Sequence, residues 1–232
     1  MDYVEPLIYL HKKYKLSEGS QKAFLIGFSM GANLMSNALA HIDSTVKSDK
    51  PLFQGAIIVQ APIRMWMCYH TIATAANGLF NKALSESLCR LMMSHEPVLK
   101  EEVRRVCGVD LQETIELWRQ SPSEYMTLRR FDDTFTCPLN GFESPDDYWY
   151  KVSCFHTIMQ IRTPTLFLNA LDDPIIGGDT IEYDRIKSNP YTAIATTAKG
   201  GHLGYHEGVF PSSKLWLFEP ILAYFQALDG QK

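Results

Sequence analysis

The sequence predicts an α/β fold in which helices flank a mostly parallel β-sheet, with a long helical segment inserted between two strands. Apolar runs of strand length end at short polar or glycine-rich loops, and they occur at residues 23–26, 53–59, 165–170 and, more weakly, 192–197. A helix-period pattern follows the first run at once, which is the βαβ arrangement of a parallel sheet. With 232 residues, 46% of them hydrophobic, the chain has enough apolar material for one domain core.

The first elements are predicted from apolar spacing. Val4, Leu7, Ile8 and Leu10 share one side of a helix over residues 2–14. A strand over residues 23–26 precedes a helix that runs to about His41. Residues 53–59 form a second, buried strand that ends near Pro62.

Residues 63–160 form the helical insertion, in which no convincing strand pattern occurs. Apolar residues repeat at helical spacing over 79–92 and again from 111 to 117, and a cap and helix restart are expected at 121–124. We expect a loop over 138–145 and a short helix over 146–152.

After the insertion, the predicted order is strand, helical turn, strand and closing helix. These elements cover residues 165–170, 182–187, 192–197 and 212–228. The whole chain, residues 1–232, is thus predicted to be a single α/β domain that carries the insertion.

Charge and composition argue against several classes of partner. The net charge of −4 and the absence of a basic stripe argue against nucleic acid as a ligand. No apolar run reaches membrane-span length, and the start has no signal-peptide pattern, so a non-secreted protein is expected. Five scattered cysteines without a C-x-x-C pair indicate reduced thiols. No metal-ligand spacing such as H-E-x-x-H occurs, so neither a metal nor another cofactor is predicted.

The pattern Gly27-Phe28-Ser29-Met30-Gly31 lies between the first strand and its helix. In that context G-x-S-x-G is typical of a nucleophile elbow, a sharp turn that exposes the serine hydroxyl above the sheet. We expect crowding at the turn to require glycine at both Gly27 and Gly31. The alternative is a glycine-rich turn whose serine only caps the helix.

Two later strands also end at polar residues. Asp172 and Asp173 follow the strand over 165–170, and His202 follows the strand over 192–197. Loops after parallel strands meet at the carboxyl edge of the sheet, so these side chains and Ser29 are expected to come together. Nucleophile, acid and base then follow the order Ser, Asp, His.

The expected roles are those of a catalytic triad. Ser29 attacks a carbonyl, His202 moves the proton, and an aspartate fixes the imidazole. Asp173, which directly precedes Pro174, is favoured as that aspartate, and Asp172 is the alternative. Either carboxylate has a second interpretation as an Asx turn before the proline. Among the seven histidines His202 is preferred because it lies in a glycine-rich loop after a strand.

These residues carry a resemblance to a known family. The matching runs, in the family's order, are residues 27–33, 131–136, 141–142 with 147–148, 161–174 and 200–204. The chain resembles the YheT-like branch of the α/β-hydrolases, which holds bacterial YheT and the animal abhydrolase-domain lipases. The resemblance implies an α/β-hydrolase fold, a serine hydrolase that cleaves acylglycerol or other lipid acyl esters, and the triad Ser29, Asp173 and His202.

The resemblance also implies that this chain is the C-terminal part of such a domain, because only 22 residues precede the elbow strand. The backbone N–H of Met30 would be one oxyanion donor, and the second donor would belong to the missing part. Any membrane association would also depend on that missing part. The full-length protein is expected to be either cytoplasmic or membrane-associated. The insertion at residues 63–160 would be a lid.

Three functions follow as hypotheses. The first is an ester hydrolase with a lipid or other small-molecule ester as substrate. The second is a catalytically impaired fragment that acts as a binding or regulatory piece, or that is not stably folded. The third keeps the triad but transfers acyl groups from thioesters or amides, because the same triad serves any acyl carbonyl.

Overall fold

The structure is a computed structural model that describes residues 3–16, 21–46, 48–208 and 214–230. The chain divides into two compact units. The first contains Met1–Cys68 and Ser153–Lys232, and the second contains Tyr69–Val152.

The described residues of the first unit contain a sheet of four strands in the order β1-β2-β3-β4. The strands are β1 (Phe24–Phe28), β2 (Gly55–Val59), β3 (Thr165–Ala170) and β4 (Thr192–Thr197). Every neighbouring pair is parallel. The parallel sheet confirms the predicted fold class, and it brings the carboxyl ends of all of these strands to the same edge.

In chain order, the α-helices of the described residues are α1 Val4–Lys13, α2 Ser29–Thr45, α3 Met65–Thr74, α4 Leu79–Ser94, α5 Glu96–Cys107, α6 Leu111–Gln120, α7 Pro122–Tyr125, α8 Leu128–Phe131, α9 Cys137–Asn140, α10 Pro145–Val152, α11 Tyr183–Ser188 and α12 Phe218–Gly230. A π-helical turn, Asp132–Thr136, joins α8 to α9. Short 3-10 turns lie at Ala75–Gly78, Cys154–His156, Ile158–Gln160 and Gly178–Thr180.

The core of the first unit lies on both faces of β2 and β3. Successive strand residues point to opposite faces. Ile58 packs in one cluster with Ala32 of α2, while Ile57 packs in another with Ile221 of α12. Helices therefore cover both faces, which explains why every residue of β2 is buried and why its sequence is a continuous apolar run. By contrast, Ile26 of the edge strand β1 is 38% exposed.

The second unit has its own core, built from helices α4 to α8 and the π-helical turn. Its buried members are Cys89, Met92, Val103, Leu111, Ile115, Trp118, Met126, Phe131 and Phe135. The helical periodicity of this segment predicted α4, α6 and α10 closely. The role of residues 63–160 as a lid stays a prediction.

Three predicted boundaries are wrong. The helix that was expected to end at about His41 continues to Thr45. Residues 138–145 were expected to form a loop, but the first three of them belong to α9. Pro138 lies in the first turn of this helix, where the N–H that proline lacks would have no partner within the helix. The closing helix expected over residues 212–228 begins only at Phe218. Before it, Leu215 pairs with His206 in an isolated antiparallel bridge, and Trp216 N–H donates to the carbonyl of Tyr205. Residues 209–213, where that helix was expected to start, lie outside the described residues.

In the part of the chain that the structure describes, no helix has both the length and the apolar character to span a membrane.

Candidate active site

Ser29 lies at the junction of β1 and α2, on a strained turn. Its backbone φ is +51°, in the left-handed region that residues with a Cβ seldom adopt. Such a conformation costs about 1–3 kcal/mol and persists only when the surroundings fix it. The cap position of α2 is Phe28, so Ser29 is the first residue of the helix and does not cap it. The capping alternative is therefore wrong.

Gly27 is the glycine that this turn requires. A Cβ at Gly27 would lie 2.7 Å from Cα of Ala32 and 2.8 Å from the carbonyl oxygen of Gly31, and neither backbone atom can move without shifting α2. The expectation that Gly31 must also be small is wrong. Apart from its chain neighbours and the nearby backbone of its own helix, no described atom lies within 4 Å of a Cβ built on Gly31.

Gly27→Ala is therefore expected to lower the free energy of unfolding by about 1–3 kcal/mol, the usual cost of forcing extra atoms into a packed site. The matched variant Gly31→Ala should leave stability unchanged or raise it by up to about 1 kcal/mol, since alanine is the better helix former. Urea unfolding of both variants measures the difference. Equal stability of the two variants would contradict the crowding at Gly27.

His202 contacts both of the other predicted site residues. Its Nε2 lies 2.9 Å from Oγ of Ser29, and its Nδ1 lies 2.9 Å from Oδ2 of Asp173. The three residues follow β1, β3 and β4, so the carboxyl-edge argument predicted their meeting from sequence.

The two oxygens of Asp173 have different partners. Oδ2 faces His202, while Oδ1 accepts hydrogen bonds from the N–H groups of Ile175 at 2.7 Å and Ile176 at 3.0 Å. The side chain is 1% exposed. Both interpretations of this carboxylate therefore hold, because one oxygen forms the Asx turn before the loop and the other faces the imidazole.

Asp172 has a different position. It is exposed, and its Oδ1 accepts a hydrogen bond from the N–H of Gly201 at 2.8 Å. The carboxylate beside the His202 ring is thus Asp173, and Asp172 contacts the backbone just before that histidine.

Sequence reasoning missed Gln60, which directly follows β2. Its side chain is fully buried, and its Nε2 donates to the carbonyl oxygen of Gly201 at 2.7 Å. The signal was present, because a polar residue at the carboxyl end of a central parallel strand lies at the same edge as Ser29 and Asp173.

Met30 follows Ser29 in the first turn of α2. The first four N–H groups of a helix have no partner within it, and the positive end of the helix dipole lies there. The N–H of Met30 is one of these groups, so it can donate to an oxygen that becomes negatively charged near Ser29.

The buried cysteines of the first unit are poor candidates for nucleophiles. Burial raises the pKa of the Cys68 thiol to about 11 and that of Cys154 to about 12. Both thiols therefore stay protonated near neutral pH, where the thiolate would be the reactive form. Among the described residues, no three His, Cys, Asp or Glu side chains are grouped to hold a metal ion.

Comparison with known proteins places this geometry in context. No protein-family model matches the chain. The chain is 32% identical over 214 residues to the monoacylglycerol lipase of Saccharomyces cerevisiae, an alignment that covers 91% of this chain and 44% of the yeast protein. It is 27% identical over 203 residues to phospholipase ABHD3 of Mus musculus, covering 87% of this chain and 45% of the mouse protein. The chain thus spans slightly less than half the length of these curated relatives.

Among solved structures, the proline iminopeptidase of Mycobacterium smegmatis is similar in fold. The TM-score is 0.51 at 15% sequence identity, over 98% of this chain and 71% of that chain. At this identity the likeness concerns the fold alone.

Proposed function

Because the chain has an α/β-hydrolase fold and is similar to acylglycerol lipases and abhydrolase-domain phospholipases, we propose that it is a serine hydrolase that cleaves carboxylic esters. One observation carries this function. Both ring nitrogens of His202 lie at hydrogen-bond distance from a side-chain oxygen, 2.9 Å from Ser29 Oγ and 2.9 Å from Asp173 Oδ2. A serine, a histidine and a buried carboxylate in this order form the relay that activates a hydroxyl for acyl transfer.

Acylation uses the three side chains together. Nε2 of His202 takes the proton of Ser29 as Oγ attacks the ester carbonyl, and the carbonyl oxygen becomes an oxyanion. The N–H of Met30 donates to that oxyanion. Nδ1–H of His202 donates to Asp173, which keeps the lone pair of Nε2 directed at Ser29 and stabilises the imidazolium.

Collapse of the tetrahedral intermediate breaks the ester C–O bond. His202 returns the proton to the leaving alcohol, and the acyl group stays on Ser29 as an ester. Water then attacks the acyl-enzyme with His202 again as base, which releases the carboxylic acid and restores the Ser29 hydroxyl.

The substrate class we propose is a lipid acyl ester, an acylglycerol in the first place. The yeast relative is named a monoacylglycerol lipase and the mouse relative a phospholipase, which supports acyl esters of glycerol over other carbonyl compounds. We also propose that the helical insertion at residues 63–160 acts as a lid. Its position in the chain, between β2 and β3, supports this role.

A substrate panel with one constant acyl chain tests the function. Purified protein would be given a monoacylglycerol, a phospholipid, a thioester and an amide of the same fatty acid, and the released acid would be quantified. We expect release from the glycerol ester by the wild type and none by Ser29→Ala. If fatty acid were released from the thioester or the amide alone, that compound class would replace esters as the proposed substrate. Equal release by the wild type and by Ser29→Ala would contradict the proposed function.

A further inference from the structure

Gln60 occupies an unusual position at the end of the central strand β2. It is fully buried, and its backbone φ is +50°, which is unfavourable for a residue with a side chain. Its amide oxygen accepts hydrogen bonds from the N–H of Ala170 at 3.1 Å and from Nδ2 of Asn169 at 3.3 Å. These two hydrogen bonds link the end of β2 to the end of β3.

The amide nitrogen of Gln60 continues this link to the loop after β4. Nε2 donates to the carbonyl oxygen of Gly201 at 2.7 Å, and the N–H of Gly201 donates to Oδ1 of Asp172 at 2.8 Å. Both backbone polar groups of Gly201, the residue directly before His202, are therefore bound by side chains that belong to the ends of other strands.

The loop needs such support because its backbone is strained. Leu203 has a φ of +67° and Tyr205 a φ of +43°, and such conformations persist only when the surroundings hold them. Gly201 has a φ of +57°, and apart from its chain neighbours no described atom lies within 4 Å of a Cβ built on it. Gly201 has no side chain to pack, so its backbone is held through its own polar groups, and the neighbouring Gly200 carbonyl accepts a hydrogen bond from the N–H of Tyr205 at 2.8 Å.

We infer that Gln60 and Asp172 are positioning residues that clamp the Gly201 backbone and thereby keep the His202 imidazole between Ser29 and Asp173. This inference rests on the proposed function, in which His202 must face both partners at once. A histidine displaced by about 1 Å would lose one of its two contacts, and misplacements of that size cost up to about a hundredfold in rate.

Variants at Asp172 separate positioning from folding, since this side chain is exposed and a single exposed hydrogen bond contributes little to stability. Asp172→Ala removes the acceptor. Asp172→Asn keeps an acceptor oxygen at the same place and removes the charge. We expect Asp172→Ala to lower kcat on a soluble p-nitrophenyl ester about tenfold or more, with KM within about twofold, and Asp172→Asn to stay within about threefold of the wild type.

Gln60→Leu removes the other half of the clamp and is expected to lower kcat about ten- to a hundredfold. Thermal unfolding of each variant shows whether it is folded. Wild-type kcat in a folded Asp172→Ala variant would overturn the clamp. So would an Asp172→Asn variant as slow as Asp172→Ala, because the carboxylate charge would then matter and not the acceptor oxygen.

Hydrogen exchange of the peptide that contains Gly201 and His202 gives a readout that does not depend on activity. Asp172→Ala should exchange faster there than the wild type and Asp172→Asn, while peptides from β2 and β3 remain unchanged. Unchanged exchange in Asp172→Ala overturns the clamp even if the wild type proves inactive. A wild type without Ser29-dependent hydrolysis contradicts the proposed function instead, so the two failures are distinguishable.

Discussion

Ser29→Ala is expected to lower kcat for ester hydrolysis by about 10⁶-fold, to the rate that binding and oxyanion stabilisation alone support. The substitution removes Oγ, which lies 2.9 Å from His202 Nε2, and with it the only step that forms the acyl-enzyme in the mechanism above. The variant keeps the strained backbone of the turn and loses one hydrogen bond, so the free energy of unfolding should change by only about 1 kcal/mol. The measurement is kcat on a soluble p-nitrophenyl ester.

Ser44→Ala is the matched control for this prediction. Ser44 lies in the last turn of the same helix, is exposed, and donates to the carbonyl of His41. Its removal should leave kcat at the wild-type value. If Ser29→Ala keeps more than about a thousandth of the wild-type rate in a preparation free of wild-type protein, Ser29 is not the nucleophile.

Asp173→Asn is expected to lower kcat by about 10⁴-fold, and the structure gives the reason. Oδ1 of Asp173 accepts from two backbone N–H groups, so the carbonyl oxygen of an asparagine would take that position. The NH₂ group would then face Nδ1 of His202 and donate to it. The imidazole would carry its proton on Nε2, which points at Ser29 and could no longer accept the hydroxyl proton.

Asp172→Asn is the matched control, because it makes the same chemical change one residue away. The kcat values of both variants would be measured on the same ester. A severe loss in Asp172→Asn with little loss in Asp173→Asn would assign the acid to Asp172, the alternative that the sequence left open.

Much of the fold was predictable because the central strands are buried on both faces. A strand covered on both sides is mostly apolar, so β2 stands out as a continuous apolar run and β3 as an apolar run interrupted by Asn169. The start of α12 was not predictable from periodicity. Trp216 and Leu217 fit a helical pattern, but the chain there pairs with the segment after His202.

The meeting of Ser29, Asp173 and His202 was predictable because loops after parallel strands converge at one edge. The family suggested by the motifs agrees with the similarity to the yeast and mouse relatives. Gln60 escaped notice because a glutamine after a strand matches no catalytic motif, although its position at the carboxyl end of β2 was a signal. Its importance depends on a positive φ and on hydrogen bonds to residues more than a hundred positions away.

The choice between two adjacent aspartates also depends on geometry that sequence spacing does not fix. Asp172 and Asp173 both follow β3, and the turn before Pro174 decides which side chain enters the core and which remains at the surface.

The most direct test of the central claim is covalent labelling of the purified chain with a fluorophosphonate, with the modified residue located by mass spectrometry. An activated serine attacks the phosphorus and displaces fluoride, so the adduct marks a working nucleophile and needs no knowledge of the natural substrate. The mechanism predicts one adduct, on Ser29, that forms far more slowly in Asp173→Asn and is absent from Ser29→Ala. A folded wild-type protein that remains unlabelled, or that is labelled at another serine, would contradict the claim that Ser29, His202 and Asp173 form a catalytic triad in this chain.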